Sequence, residues 1–292
     1  MSRARAAALV PALLVLLLTA GCSGGGTTPE PSASPSASPS AAASASGDAS
    51  ADTTPPTAPV RATEPPAPEV GTCHRLTFAA ALAPTSRAPG VSCRRAHTAR
   101  TVDVGRLRTV EQGHLLAVDA AAVRDQPAAR CPRAFADFVG GSRTDRRLSM
   151  LRTVWFTPTV AQSDRGADWY RCDVIAVAAD QRLARLKGRL DGVLGRPAGD
   201  RWGMCGTAAP DADAFRRVVC SRAHSWRAID VVDLAGPRYP GTAAARARGQ
   251  GPCEAAGRDA AADPLDFEWG YEWPTRPQWR AGQTYGRCWA PD

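Results

Sequence analysis

Alternation of apolar and polar positions marks several short strands in the C-terminal three quarters of the chain. Period-two alternation of this kind is typical of a strand with one buried face. A Cys-x-x-x-His segment precedes each of two such stretches. The predicted strands are ARTVDV (99–104), LRTVWFTP (151–158), DWYRCDVIAVA (168–178) and RAIDVV (227–232).

One stretch changes to the helical period. CPRAFADFVG (131–140) places Cys131, Phe135 and Phe138 along one side of a helix. Strands that surround one main helix predict a small α+β unit with a mostly antiparallel sheet.

The chain contains this pattern twice. PTVAQSDRGADWYRC (158–172) aligns without a gap with PTRPQWRAGQTYGRC (274–288), and CRRAHTARTVDV (93–104) aligns with CSRAHSWRAIDV (220–231). Each half holds four cysteines, one Cys-x-x-Ala-His and one Pro-Thr…Gly…Arg-Cys in the same order. The sequence therefore predicts two tandem, disulfide-stabilised α+β domains, at 70–195 and 200–292, produced by duplication.

The N-terminus predicts export. Arg3 and Arg5 precede an apolar run that is too short to span a bilayer comfortably, which is typical of a signal peptide (1–21). Small residues before Cys22 are similar to a bacterial lipobox, so Cys22 is the predicted lipidation site. The Pro/Ser/Ala-rich residues 22–69 cannot bury an apolar core and predict a disordered tether.

Composition adds a charge argument. The chain carries a formal net charge of +8, and outside a cell this favours anionic envelope polymers or lipid headgroups over nucleic acid. Arginine in place of lysine suggests an actinobacterial source. Together with the anchor, the charge predicts attachment to the extracytoplasmic face of the cell membrane, with envelope polymers or division proteins as partners and no nucleic acid.

Eight cysteines follow Cys22, an even number that predicts disulfides in an oxidising compartment. Duplication favours pairing within each repeat, and each loop would contribute about 3–4 kcal/mol in the chain-entropy model. Pairing of the first cysteine with the third stays open. The favoured pairs are Cys73–Cys93, Cys131–Cys172, Cys205–Cys220 and Cys253–Cys288.

His97 and His224 close the two Cys-x-x-Ala-His segments. Zinc takes about four ligands and each segment supplies two, so we predict no metal and no cofactor. Asp103 and Asp230 lie six residues further on, about 20 Å away along a strand, which is too far for a catalytic dyad. The favoured interpretation is a structural corner without catalytic residues; a ligand contact, or an envelope hydrolase that uses these histidines, is the alternative.

The order Gly-x-Cys, Cys-x-x-x-His, helical Cys and Pro-Thr…Cys resembles the septum-formation domain family of actinobacterial envelope proteins. The resemblance covers nearly all of residues 70–292, as two copies. It implies a setting in the cell envelope or in cell division, and no established catalytic activity.

Two surfaces are candidates for a ligand. Phe267, Trp269, Tyr271 and Trp273 alternate along one predicted strand, where we favour a core face over a sugar-stacking platform. Trp279 and Trp289 lie off that strand and are predicted to be exposed ligand contacts.

The second surface is basic and surrounds the first Cys-x-x-Ala-His strand. Guanidinium groups suit phosphate or carboxylate partners, although a solvated edge is the simpler interpretation. Its members are Arg94, Arg95, Arg100, Arg106 and Arg108. The sequence as a whole predicts a lipid-anchored, non-enzymatic binding or scaffolding module of the envelope.

Overall fold

The computed structural model describes residues 63–234 and 236–292. The predicted signal peptide (1–21), Cys22 and most of the predicted tether lie outside the described residues. Within the described part, no helix is both long enough and apolar enough to cross a membrane.

The first repeat forms the predicted α+β unit, in which one long strand crosses the middle of an antiparallel sheet. Its strands are β1 Cys73–His74, β2 Gly90–Val91, β3 Ala99–Arg106, β4 Val110–Glu111, β5 His114–Leu115, β6 Leu151–Phe156, β7 Trp169–Ala179 and β8 Arg182–Leu183. Its helices are α1 Phe78–Ala81, α2 Ala121–Arg124, α3 Cys131–Val139, α4 Arg143–Arg147 and α5 Val160–Ser163. Short 3-10 helices are Gln126–Ala129, Val193–Gly195 and Pro197–Trp202, the last two leading into the second repeat.

The second repeat has one long helix. Its strands are β9 Met204–Gly206, β10 Arg217–Val219, β11 Trp226–Asp233, β12 Gly270–Glu272 and β13 Tyr285–Pro291, and its helices are α6 Thr242–Ala260 and α7 Arg276–Arg280. The predicted α+β class is therefore confirmed.

The two sheets have the same topology. The first has the order β2-β1-β3-β7-β6, with β8 added on β7, and the second has the order β10-β9-β11-β13-β12. The pairing of β3 with β7 shifts register between Thr101 and Asp103, and that of β11 with β13 shifts at the aligned positions Ala228 and Asp230. A bulge repeated at the same place supports the duplication that the sequence predicts.

The largest core joins both repeats. Leu151 and Val174 of the first sheet pack in one cluster with Met204 and Trp289 of the second. Trp202 lies between the sheets and is fully buried. Backbone bonds tie the repeats at the same place, because Met150 N donates to the Trp202 carbonyl and Met204 N donates to the Leu148 carbonyl, each over 2.7 Å. The described residues of both repeats belong to one compact unit.

Four disulfides hold the loops, so the predicted disulfide bonds are confirmed. They join the four pairs that the spacing favours: Cys73–Cys93, Cys131–Cys172, Cys205–Cys220 and Cys253–Cys288. Cys131 and Cys253 each lie in the main helix of their repeat, and their partners lie on the central strands β7 and β13. One disulfide in each repeat therefore fixes helix to sheet.

The aromatic strand of the second repeat is shorter than the sequence predicts. Only residues 270–272 form a strand, so Phe267, Trp269 and Trp273 lie outside it. Their rings nevertheless pack on the second repeat: Trp269 covers Gly257 of α6, and Tyr271 covers Gly249 of α6. Trp269 and Tyr271 need these glycines opposite them to approach the helix. All four aromatics are half-buried, so the stretch is a partly covered packing face and not the fully buried core face that the sequence favoured.

Two glycines of α6 provide a matched test of this packing. A Cβ at Gly249 would stand 1.9 Å from Tyr271 Cζ, whereas one at Gly251 meets nothing within 4 Å. We expect Gly249→Ala to lower the free energy of unfolding by about 1–3 kcal/mol through overpacking. Gly251→Ala should change it by less than about 1 kcal/mol, because the gain in helix propensity is offset by the steric restriction that the following Pro252 places on a residue with a Cβ. Urea denaturation measures both, and equal effects would contradict the packing.

Candidate functional site

The two Cys-x-x-Ala-His segments form the same corner. His97 is 7% exposed and its Nδ1 donates to the Arg95 carbonyl over 2.8 Å. His224 makes the equivalent bond to the Arg222 carbonyl over 2.5 Å. The Leu186 amide also donates to the His97 carbonyl, which ties the first corner to the chain after β8. This geometry supports the favoured interpretation of a structural corner.

In the second corner one carboxylate pairs with both a histidine and an arginine. His224 Nε2 lies 2.7 Å from Asp292 Oδ2, and Arg227 Nε donates to the same oxygen over 3.0 Å. The hydrogen bond from Arg227 and that from His224 lower the pKa of Asp292. Cys205 completes the one metal-like group among the described residues, but its sulfur is bonded to Cys220 and is not a thiolate. The group therefore lacks the three ligands that a zinc site needs.

Trp279 and Trp289 are not exposed, and that prediction is wrong. Trp289 has no exposed surface, because β13 continues past Cys288 and lies between β11 and β12. Its ring meets Phe215 edge to face, with centroids 5.1 Å apart. Trp279 is 8% exposed and packs in a small core with Leu234. Neither ring is available for stacking on a ligand.

The predicted basic surface does not form one site. Arg94, Arg95, Arg106 and Arg108 are exposed. Arg106 donates to Asp168 over 2.6 Å, and the guanidinium of Arg100 lies over the Phe138 ring at 5.3 Å. The five side chains thus have separate environments, and only the exposed ones are free for a solvent-side contact.

A different arginine, which the sequence analysis overlooked, occupies an equivalent position in both repeats. Arg171 and Arg287 each precede the last cysteine of their repeat, and each is 4% exposed. Burying a guanidinium is costly unless it is paired and hydrogen-bonded. The two repeats surround this buried arginine with different polar groups.

In the first repeat the arginine belongs to a polar network with a carboxylate, although Arg171 Nε and Nη2 are buried without a hydrogen-bond partner among the described residues. Arg171 Nη2 lies 3.3 Å from Asp173 Oδ2, and Nη1 donates to His74 Nε2 over 3.1 Å. Thr101 Oγ1 donates to Asp173 Oδ1 over 2.8 Å. Burial, followed by the charge of Arg171, lowers the pKa of His74, so its ring is neutral at pH 7. Its Nδ1 then donates to the Ala88 carbonyl, 3.2 Å away. The network pairs the charge of Arg171 inside the repeat.

The second repeat lacks this network. In the alignment, Gly206, Ala228 and Trp289 replace His74, Thr101 and Asp173. Arg287 has instead Glu272, whose Oε2 lies 3.7 Å from Nη1, and the Tyr285 hydroxyl, 3.4 Å from Nη2. Its Nε is buried without a hydrogen-bond partner among the described residues. Arg287 is therefore buried with donors to spare.

Arg287 lines a cavity of about 640 Å³ between the two sheets. Arg152 of β6 and Arg217 of β10 line it as well, so three strands supply three guanidinium groups. We call this cavity, with Arg152, Arg217, Arg287 and Tyr285 in its wall, the arginine cleft. Met150, Met204 and Phe215 give it an apolar side.

The cleft has more positive than negative charge. Arg217 pairs with Glu272, its Nε donating to Oε2 over 3.2 Å. Arg152 donates only to backbone, from Nη1 to the Ser149 and Leu151 carbonyls over 2.7 and 2.6 Å. Within the described chain, no carboxylate lies within 4.0 Å of Arg152. Asp180 and Arg216 also line the cavity, so two carboxylates, those of Glu272 and Asp180, lie among four guanidinium groups.

The pKa values of Arg152 and Arg217 are lowered, because both groups are buried and lie near other positive charges. Burial first, and the charge of Arg287 second, lower the pKa of Arg152 to about 10. Burial, followed by the charges of Arg287 and Arg152, lowers the pKa of Arg217 to about 10. All of these groups stay protonated at neutral pH, and their mutual repulsion favours an anion among them.

With this geometry in place, the chain can be compared with known proteins. The model of the family described as "Septum formation" matches residues 144–288. This part of the chain belongs to that family, as the resemblance implied; the match runs from α4 through β13 and includes the whole arginine cleft wall formed by Arg152, Arg217 and Arg287. It spans the two repeats as one match. Comparisons with curated proteins and with solved structures found no match.

The cleft could have been suspected in part from the sequence. The Arg-Cys pair occurs at Arg171 and Arg287 in the alignment, and only the first is followed by an acidic residue, Asp173. That difference signals an unneutralised arginine. No local signal brings Arg152 and Arg217 to it, because they lie on strands of different sheets.

The corner histidines give a stability test. His97→Ala removes the ring that donates to the Arg95 carbonyl, and we expect it to lower the free energy of unfolding by about 1–3 kcal/mol. His97→Asn should lose less, because the amide can reach the same carbonyl. The matched control is His114→Ala, an exposed histidine of β5, which should change stability by less than about 0.5 kcal/mol. Similar losses for His97→Ala and His114→Ala in urea denaturation would contradict the corner.

Proposed function

We propose that this chain is a lipoprotein of the extracytoplasmic face of the cell membrane, anchored at Cys22, that acts in septum formation as a non-enzymatic binding or scaffolding module. The observation that carries the proposal is the arginine cleft, a concave site between the repeats whose charged donors lack enough protein partners. Such a site suits binding, because a ligand supplies the missing acceptors.

The family assignment supports the setting. A septum formation domain suggests a role related to cell division. The N-terminal pattern supports the anchor, since the signal-like run ends at Cys22 and a Pro/Ser/Ala-rich tether of the kind expected for a flexible spacer follows.

The environment of the histidines favours binding over catalysis. A general base needs a lone pair within reach of its substrate. His224 faces an acceptor at each ring nitrogen, Arg222 carbonyl and Asp292 carboxylate, and His97 is buried in its corner. An envelope hydrolase that uses His97 or His224 is the alternative, and turnover of an envelope substrate that His97→Ala and His224→Ala abolish would establish it.

The anchor predicts a change in fractionation. We expect Cys22→Ser to move the chain from the membrane fraction to the soluble extracytoplasmic fraction, because serine cannot carry the thioether-linked lipid. The neighbouring Ser23→Ala is the matched control and should stay with the membrane. Immunoblots of separated fractions measure both. A Cys22→Ser chain that remains membrane-bound in a high-salt wash would refute an anchor at this residue.

The proposed role at the septum predicts that substitutions in the arginine cleft and substitutions in the histidine corners have different effects on localisation. By immunofluorescence, we expect the double variant Arg152→Gln/Arg217→Gln to lose enrichment at division sites, because the cleft loses two of its donors. His97→Asn/His224→Asn should keep it. Arg94→Gln/Arg95→Gln removes the same charge from an exposed corner and should also keep it. Loss in the histidine variant alone, at normal protein level, would favour the enzyme.

A further inference from the structure

We propose that the arginine cleft is a site for a phosphate group, held by Arg152, Arg217 and Arg287, through which the module binds an anionic envelope ligand. The inference deepens the proposed function and rests on it only for the origin of the ligand. It concerns one chemistry, a tetrahedral oxyanion, which a phosphodiester polymer, a phospholipid headgroup or free phosphate can present.

The cleft arginines have unused hydrogen-bond donors. A guanidinium has five N–H donors and no acceptor. Arg287 is 4% exposed, and its Nε has no hydrogen-bond partner among the described residues. Arg152 uses Nη1 on two backbone carbonyls, which carry no full charge. A buried, under-satisfied cation that lines a cavity is stabilised most by an anionic acceptor that enters the cavity.

The origin of the donors favours a phosphate. A carboxylate is planar, and one guanidinium fork can bind both of its oxygens. Here the donors come from three strands of two sheets, β6, β10 and β13, that border one cavity. A tetrahedral phosphate has oxygens that point in several directions and can accept from more than one guanidinium group. Phosphate therefore fits this arrangement better than a single carboxylate.

The two repeats differ in the group beside the buried arginine. The cavity of the first repeat, about 380 Å³, is lined by Arg171, Trp169 and Gln162. The aligned residues Arg287, Tyr285 and Gln278 line the arginine cleft. In the first repeat the buried carboxyl group of Asp173 lies 3.3 Å from Arg171 Nη2; burial raises its pKa, and Arg171 Nε and Nη2 keep no hydrogen-bond partner among the described residues. The second repeat has Trp289 at that position and so lacks this carboxylate. The negative charge near Arg287 comes from Glu272 and, in our proposal, from the ligand.

Glu272 is the group that a phosphate would have to tolerate. It pairs with Arg217 and lies 3.7 Å from Arg287. Its negative charge and that of Asp180, which also lines the cavity, weaken the attraction of the cleft for an anion without cancelling it, because four arginines line the cavity: Arg152, Arg216, Arg217 and Arg287. This gives a test in which the expected result is a gain of binding, which a folding defect does not produce.

The experiment measures phosphate binding to the full chain, purified in phosphate-free buffer from the cell fraction that holds it. Isothermal titration calorimetry at constant chloride compares inorganic phosphate, a short glycerol phosphate oligomer and vesicles that contain phosphatidylglycerol. We expect saturable binding in at least one arm, and the tightest arm identifies the source of the phosphate. Sulfate, a tetrahedral dianion, should compete, and acetate should not.

The variants locate the site. Arg217→Gln should weaken binding at least about tenfold, which is about 1.4 kcal/mol, and Arg287→Lys should weaken it too, because lysine lacks the fork. Glu272→Gln should tighten binding about fivefold, or about 1 kcal/mol. Arg94→Gln/Arg95→Gln is the control of equal or greater charge loss and should bind as the parent chain does. Four intact disulfides by mass spectrometry check the fold of each variant.

Three results would overturn the site: no saturable binding of phosphate in any arm, acetate binding as tight as phosphate, or equal weakening in Arg217→Gln and in Arg94→Gln/Arg95→Gln. The assignment does not depend on the anchor or on septal enrichment. If phosphate binds and the Cys22→Ser chain stays in the membrane, the phosphate site stands and the anchor at Cys22 is refuted. If phosphate does not bind and septal enrichment is normal, the phosphate site is refuted and the role at the septum stands.

Discussion

The apolar core shared by the two sheets is the constraint on which the rest of the structure depends. A disulfide-rich repeat of this size has too little apolar surface to cover both faces of its own sheet. Leu151 and Val174 therefore pack with Met204 and Trp289 across the repeats, and Trp202 fills the space between them. Because the sheets meet there, a strand from each repeat borders the same cavity. The arginine cleft is a consequence of this packing.

Duplication gave the protein two copies of one buried arginine. The first copy has an internal carboxylate: Asp173 lies 3.3 Å from Arg171 Nη2, and Arg171 Nη1 donates to His74, although Arg171 Nε and Nη2 keep no hydrogen-bond partner among the described residues. In the second copy, tryptophan stands where that aspartate would be, and it strengthens the shared core through its edge-to-face contact with Phe215. The same replacement leaves Arg287 without the carboxylate that lies beside Arg171. Arg287 and Trp289 are two residues apart on β13 and share a face, so one change both enlarges the shared core and removes a negative charge next to Arg287.

The disulfides and the histidine corners separate stability from function. Cys131–Cys172 and Cys253–Cys288 fix each main helix to its central strand, and the other two disulfides tie the corners to the sheet edge. His97 and His224 donate to carbonyls two residues earlier and so hold the corner loops. The cysteines and the corner histidines are therefore bonded to other groups of the protein. The guanidinium groups of the cleft line a cavity that carries an excess of positive charge, and an external partner can reach them there.

The sequence by itself determined the features that depend on local pattern and spacing. Alternation located β3, β7 and β11, the helical face of Cys131 and Phe135 located α3, and the order of cysteines in each repeat favoured the four pairs that the structure contains. Local pattern also led to an error, since Trp279 and Trp289 lie off the predicted aromatic strand yet are buried. Only the tertiary structure decided that, and only it brought Arg152 and Arg217 to Arg287. The physical reason is that burial and the meeting of distant charges depend on how the two sheets pack, and no periodicity along the chain records the packing.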